Sequence, residues 1–219
     1  VDFNVLLQNP ASRLDFSGSA KGKFNLANAA QFTSLEPGTK LSGVLSANIN
    51  FTGNKTDIDK AAYDKIKLSG NLDLSNLLYA SKNYPDGVSI STATFTFNPK
   101  NITLNSLKAK YLQSNITASG AIDNAIGYAL KDEPVAGTLQ VHADKLNLND
   151  FMGTTSTTDT ADTKTTSSAS APFAVPKNVA FTLTAGVDEL SYDKTTYQNL
   201  KGTVAIKDET VALKDLQMD

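Results

Sequence analysis

The chain has no cysteine, no tryptophan and a single histidine in 219 residues. Without cysteine there is no disulfide framework, no thiolate zinc site and no cysteine nucleophile, although this does not fix the compartment. The one histidine, His142, sits between Val141 and Ala143 on the polar side of an alternating stretch, with Gln140 and Asp144. A catalytic histidine needs an orienting partner and a nucleophile close by, and an exposed structural position is the reading for His142. No apolar run approaches the ~20 residues that a membrane-spanning helix needs. Charge of either sign is also scarce in excess: the net charge is -2, which leaves no electrostatic footprint for nucleic acid or an anionic membrane surface.

Local motifs are equally thin. No G-x-S-x-G elbow is present for a serine nucleophile. Gly53-Asn54-Lys55-Thr56 is like the end of a phosphate loop but lacks the upstream glycine and the Gly-Lys pair. Asp57-x-Asp59 is not followed by the glycine and terminal glutamate of a calcium loop. Asp132-Glu133, Asp188-Glu189 and Asp208-Glu209 are adjacent pairs at strand ends. Neighbours in an extended chain point to opposite sides, so these are turn charges and not acid/base pairs. Sequons at Asn50, Asn54, Asn101 and Asn115 follow from a composition rich in Asn and Thr. We therefore expect no catalytic residues, no metal and no cofactor.

What is present is alternation. In Leu41 to Phe51, LSGVLSANINF, residues Leu41, Gly43, Leu45, Ala47, Ile49 and Phe51 share one parity, and the other parity is mostly Ser and Asn. A period of two describes a strand with one apolar face and one wet face. The apolar-x-Gly-x-apolar register returns at Leu68-Gly70-Leu72-Leu74, Val135-Gly137-Leu139-Val141-Ala143 and Leu200-Gly202-Val204-Ile206, with looser copies at Leu14 to Ala20 and Ile116 to Ile122. A glycine inside a strand marks a bend or a close backbone approach, and here it reads as the point where a long sheet coils. Phase slips before Leu107 and before Leu216 read as β-bulges.

The remaining signals punctuate these strands. Asn28 is expected to cap a short helical turn through Phe32, residues 57 to 63 and 77 to 79 to form brief helices, and Asn124 to Glu133 to be partly helical. Phe24-x-Leu26-x-Asn28, Leu72-x-Leu74-x-Asn76 and Leu146-x-Leu148-x-Asp150 suggest a repeated unit of strand, kink and short helix. Tyr84-Pro85-Asp86-Gly87 is a turn signal, and Asp208-Glu209-Thr210 reads as a hairpin. Gly153 to Ala171 is almost wholly Thr, Ser, Ala and Asp, too poor in apolar surface to offset the entropy of ordering. The expected organisation is a repeated strand region over 1–152, a Ser/Thr-rich flexible loop or linker over 153–172, and a continuation of the strands over 173–219. The chain opens and stops in mid-pattern, and we read it as part of a longer protein.

The fold class is thus all-β, with roughly a dozen antiparallel strands by pattern and only a few short helices. The apolar faces must close on another sheet, on themselves or on a ligand.

Val175-Pro176-Lys177-Asn178-Val179 leads into FTLTAGVDELSY, then Tyr197-Gln198-Asn199-Leu200-Lys201-Gly202 and DETVALKDLQMD. This order resembles the AsmA family. Asn98 to Leu107, Ser114 to Gly120 and Leu35-Glu36-Pro37-Gly38 resemble the same family. The Ser/Thr-rich segment and the Asn content are similar to Bacteroidetes-type members, in which Asp159-Thr160-Ala161 is similar to a short O-glycosylation signal. AsmA-like proteins are related to TamB-type bridge-like lipid-transfer proteins. The resemblance implies an extended, curved, taco-like sheet around a hydrophobic groove, and carries no catalytic residues. It implies phospholipid or other acyl-chain ligands, a periplasmic location tethered to the inner membrane through an anchor outside this chain, and a link to outer-membrane assembly components. The residues expected to line the groove are Leu45, Ala47, Ile49, Leu72, Leu74, Leu139, Val141, Val204 and Ile206. The alternative is a structural or adhesive β-sandwich whose apolar stripes meet each other and whose loops bind partners.

Overall fold

The computed structural model describes residues 1–31, 36, 38–60, 62, 65–82, 85–152, 178–207 and 209–219. The strands are β1 (Asp2–Gln8), β2 (Asp15–Asn25), β3 (Lys40–Asn54), β4 (Lys67–Ala80), β5 (Val88–Phe97), β6 (Asn101–Tyr111), β7 (Ser114–Asp123), β8 (Val135–Asn147), β9 (Val179–Tyr192), β10 (Thr195–Lys207) and β11 (Thr210–Gln217). They form one curved open sheet whose spatial order is the sequence order, β1 to β11. The longest described helix has 7 residues, so among the described residues no helical layer covers either face. Two packed sheets, the expected alternative, are not what forms.

Strand pairing is antiparallel throughout except between β8 and β9, which run parallel in register from Val135↔Val179 to Asn147↔Ser191. The expected curved antiparallel sheet forms, and this one parallel pair is its exception. Parallel neighbours need a long return connection, whereas antiparallel ones need only a tight turn. The connection is the Ser/Thr-rich stretch: the chain leaves β8 through α3 (Asn149–Met152) and re-enters at Asn178. Residues 153–177, which contain the expected linker and the Asp159-Thr160-Ala161 signal, lie outside the described residues. Strands β9 to β11 continue the same sheet.

An Asn side chain caps the start of α1, the 3-10 turn and α3, although not always at the expected residue. Helix α1 (Lys55–Asp59) starts two residues before the expected 57, because Asn54 accepts the Asp57 N–H at 2.9 Å. The phosphate-loop look-alike is therefore a helix cap. The 3-10 turn Leu26–Gln31 starts after Asn25, whose side chain accepts the Ala27 N–H at 3.0 Å, and not after Asn28. Helix α2 (Ala125–Lys131) falls inside the expected connection. At α3 the capping side chain is Asn147, which accepts the Asn149 N–H at 3.1 Å, in place of Asp150.

The brief helix expected at 77–79 does not form. Asn76 takes a left-handed φ of 51°, which Asn tolerates better than most residues. The strand then resumes, with Leu77 opposite Ile90 and Tyr79 opposite Val88. Gly43, with φ 128°, lies against this kink and completes a bulge between Ser42 and Val44. A Cβ there would stand 2.8 Å from the Leu77 Cα, so the glycine of the Leu41–Phe51 stretch serves the bend as expected. The two expected slips are present: the register shifts between Leu104 and Leu107, and at Asp215 in β11.

A second line of irregularity crosses β8 to β10. Asp144, Asp188 and Asn199 each drop out of the ladder, and the apolar parity switches from Ala143 and Val187 to Leu146 and Leu190. Astride this line sits the main buried cluster, Ala143, Val187 and Leu190, packed against Ile116, Leu146, Leu148, Tyr197 and Leu200. Apart from it, Ala93 and Val135 are the buried apolar residues among those described.

Candidate functional site

Cross-strand register builds the site, because paired residues in a ladder project from the same face. Starting at Phe3, the partners run Ala20, Ile49, Gly70, Phe97, Ile102, Ile122, Gly137, Phe181, Ile206 and Val211. This row crosses all eleven strands without a polar side chain. The next row runs from Gly22 through Ala47, Leu72, Phe95, Leu104, Gly120, Leu139, Leu183 and Val204 to Leu213. A third contains Phe24, Leu45, Leu74, Ala93, Leu107, Ala118, Val141 and Ala185.

All nine expected groove residues fall on this one face, within three adjacent rows. Leu45, Leu74 and Val141 are in the third row, Ala47, Leu72, Leu139 and Val204 in the second, and Ile49 and Ile206 in the first. They form two groups, on β3–β4 and on β8 and β10. The residues that join them, including Phe95, Leu104, Ala118 and Leu183, were readable as apolar strand positions. Their place between the two groups depends on pairing register, which no single strand's sequence contains.

The face is apolar but not closed. Leu139 at its centre is 37% exposed, and Ile102 and Ile122 are comparably open. Ten inter-strand steps of ~4.8 Å and three two-residue rows give a footprint of roughly 48 by 20 Å, on the order of 1,000 Å². Contiguous apolar patches on soluble monomers are usually about 300–600 Å².

Glycines give this face its relief. Gly18 pairs with Phe51, Gly53 with Phe16 and Gly137 with Phe181, and in each case the ring occupies the space where a glycine side chain would stand. A Cβ on Gly18 or Gly53 would be 2.7 Å from the Cζ of the opposing ring. The rings therefore lie down across their neighbours, a cross-strand use of glycine that fills the gap with aromatic surface. Phe3 and Phe51 belong to strands two steps apart, a backbone separation of about 9.6 Å, yet their ring centroids are 6.1 Å apart. Phe16 joins them, at 6.3 Å from Phe51. This corner is aromatic, and the rest of the face is mainly aliphatic.

The opposite face is polar and holds the described depressions. The largest, about 520 Å³, lies over β6 to β10. Others lie beside Arg13 and Lys67, and beside Lys21 and Asp73. The apolar face is thus an open surface, and the more enclosed spaces are on the side expected only to keep the shell soluble. His142 is on that polar side as read, but it has a partner: its Nε2 lies 3.2 Å from Asp188 Oδ2. Among the described residues no group of acidic or histidine side chains is arranged to hold a metal ion, and no helix is long and apolar enough to cross a membrane. No protein-family model, curated protein or solved structure matches this chain.

Proposed function

We propose that this chain is a non-enzymatic, AsmA-like segment that shields phospholipid acyl chains on the apolar face of its sheet. The supporting observation is the row from Phe3 to Val211, unbroken across eleven strands and not covered by a second layer among the described residues. A hydrocarbon tail asks for no directional bonds, only for an apolar surface along its length. Each methylene withdrawn from water contributes about 0.8 kcal/mol. A tail reaches about half of the ~30 Å hydrocarbon thickness of a bilayer, roughly three inter-strand steps, so the face has room for several tails in series. A protein partner fits less well, since protein hot spots rely on Trp, Tyr and Arg anchors in pockets, and the three rows contain none of these residues. In this reading the segment works in the periplasm, tethered to the inner membrane in the full-length protein, and serves lipid traffic for outer-membrane biogenesis.

The test is lipid retention. The protein purified from a Gram-negative host is examined by native mass spectrometry and titrated with a fluorescent fatty-acid analogue. Leu139→Asp with Val204→Asp should reduce bound lipid at least tenfold while leaving the β-sheet circular dichroism unchanged, because Leu139 is already 37% exposed. Asn48→Asp and Asn50→Asp, on the other face, should leave binding unchanged. Equal binding by both sets of variants, or no lipid on the folded wild type, would sink the proposal.

A further inference from the structure

The polar face contains a feature that solvation alone does not account for. One cross-strand line runs Lys108, Thr117, His142, Gly186 and Lys201, along the trough of about 520 Å³. No carboxylate lines this trough. Of the nearby acids, Asp188 reaches the trough only at His142, with which it pairs, while Asp144 is held by Asn115 and Glu189 by Lys145. Among the described residues Lys108 and Lys201 make no ion pair or side-chain hydrogen bond. The depression beside Lys21 and Lys23 differs, because Asp2 and Asp73 line it as well. The trough floor is low because Gly186 has no side chain; a Cβ there would stand 3.2 Å from His142 Nδ1. Thr117 and Thr184 add hydroxyls to the strip.

We infer that this trough binds an extended, polyhydroxylated ligand with at least two anionic groups, that is, an acidic oligosaccharide. The two lysines lie four inter-strand steps apart, about 19 Å, so a single phosphate reaches one of them but not both. The threonine hydroxyls and the Gln140 amide along the strip offer donors and acceptors of the kind that sugar hydroxyls use. This inference concerns the face opposite the acyl-chain surface and stands independently of it.

Isothermal titration of the whole chain with tetragalacturonic acid, maltotetraose and inorganic phosphate tests it. The acidic tetrasaccharide should bind with a submillimolar Kd that weakens as salt rises, and the other two should bind at least tenfold more weakly. Lys108→Ser with Lys201→Ser should loosen the acidic ligand at least tenfold, while Lys21→Ser with Lys23→Ser should change it less than twofold. All four lysines are exposed, so both variants should fold. Absent binding, equal binding of maltotetraose or phosphate, or equal loss in the two double variants would each overturn the assignment.

Discussion

Strand β1 and the kinked rim of β8 to β10 use the same residues and reach opposite states. In β1, Val5, Leu6 and Leu7 are 38, 55 and 58% exposed, whereas Val187 and Leu190 at the rim are each 8% exposed. Leu7 and Val187 both sit on the apolar face, so hydrophobicity and facing do not separate them. Two things do: a neighbour on each side, and the interruption of the ladder at Asp144, Asp188 and Asn199. Past that break the parity switches, and Leu146, Leu190 and Tyr197 close over the row that ends in Ala143 and Val187. In a one-layer sheet a side chain is buried by bending the sheet, since no second layer is available.

The largest effect should come from truncating the rim. Leu190→Ala should cost about 2–4 kcal/mol, the usual range for a buried leucine. Leu7→Ala should stay within about 0.5 kcal/mol, as for exposed positions. Urea melts of the two variants make the comparison directly. Equal costs would mean that the rim cluster does not anchor the fold and that stability is spread evenly along the sheet.

The next effect separates two glycines in equivalent strand interiors. A Cβ on Gly70 would run into the Asn48 backbone carbonyl and stand 3.0 Å from the Ile49 Cα. Strand β3 cannot move away without opening its ladder, so Gly70→Ala should cost about 1–3 kcal/mol, as overpacking does. On Gly186 the only near atom is His142 Nδ1, at 3.2 Å, on an exposed ring that can swing. Gly186→Ala should therefore be neutral within about 0.5 kcal/mol. Thermal melts showing the two variants equal would remove close backbone approach as the reason for glycine in this sheet.

The single-strand level was largely legible in the sequence, and the sheet level less so. Alternation located Leu45, Ile49, Leu72 and Val204 on an apolar face, because period two depends only on local residues. The slips before Leu107 and Leu216 were equally visible as breaks in that period. Asn76 was misread as a helix start because Asn suits both a cap and a left-handed kink, and tertiary pairing of Leu77 with Ile90 decided between them. The parallel β8–β9 pair was hidden because its connection is compositionally featureless. The trough with Lys108 and Lys201 was also missed, since those residues come from strands far apart in sequence and share a line only through five-strand register.

The smallest expected effect tests whether the rim kink is held by charge. Asp144 accepts the Asn115 N–H at 2.7 Å, the Asn115 side chain at 2.5 Å and the Lys145 N–H at 2.7 Å. These hydrogen bonds, the Asn115 side chain first, hold its carboxyl below the ordinary value of 3.8. Because the folded state favours the ionised form, the stabilisation is fully present above the ordinary carboxylate range. It is lost as pH falls through the lowered folded value. Asp15, at the β1–β2 corner, is likewise held low, by Asn9 and then Arg13. Asp144→Asn should lower Tm slightly at neutral pH, and the difference from wild type should shrink as the pH falls below 3.8. Asp15→Asn should follow the same pH course with a smaller amplitude, because its corner adjoins the exposed edge strand and Asp144 adjoins the packed rim. If the Asp15 variant lost more than the Asp144 variant, the edge and not the rim would be the more cooperative part of the sheet.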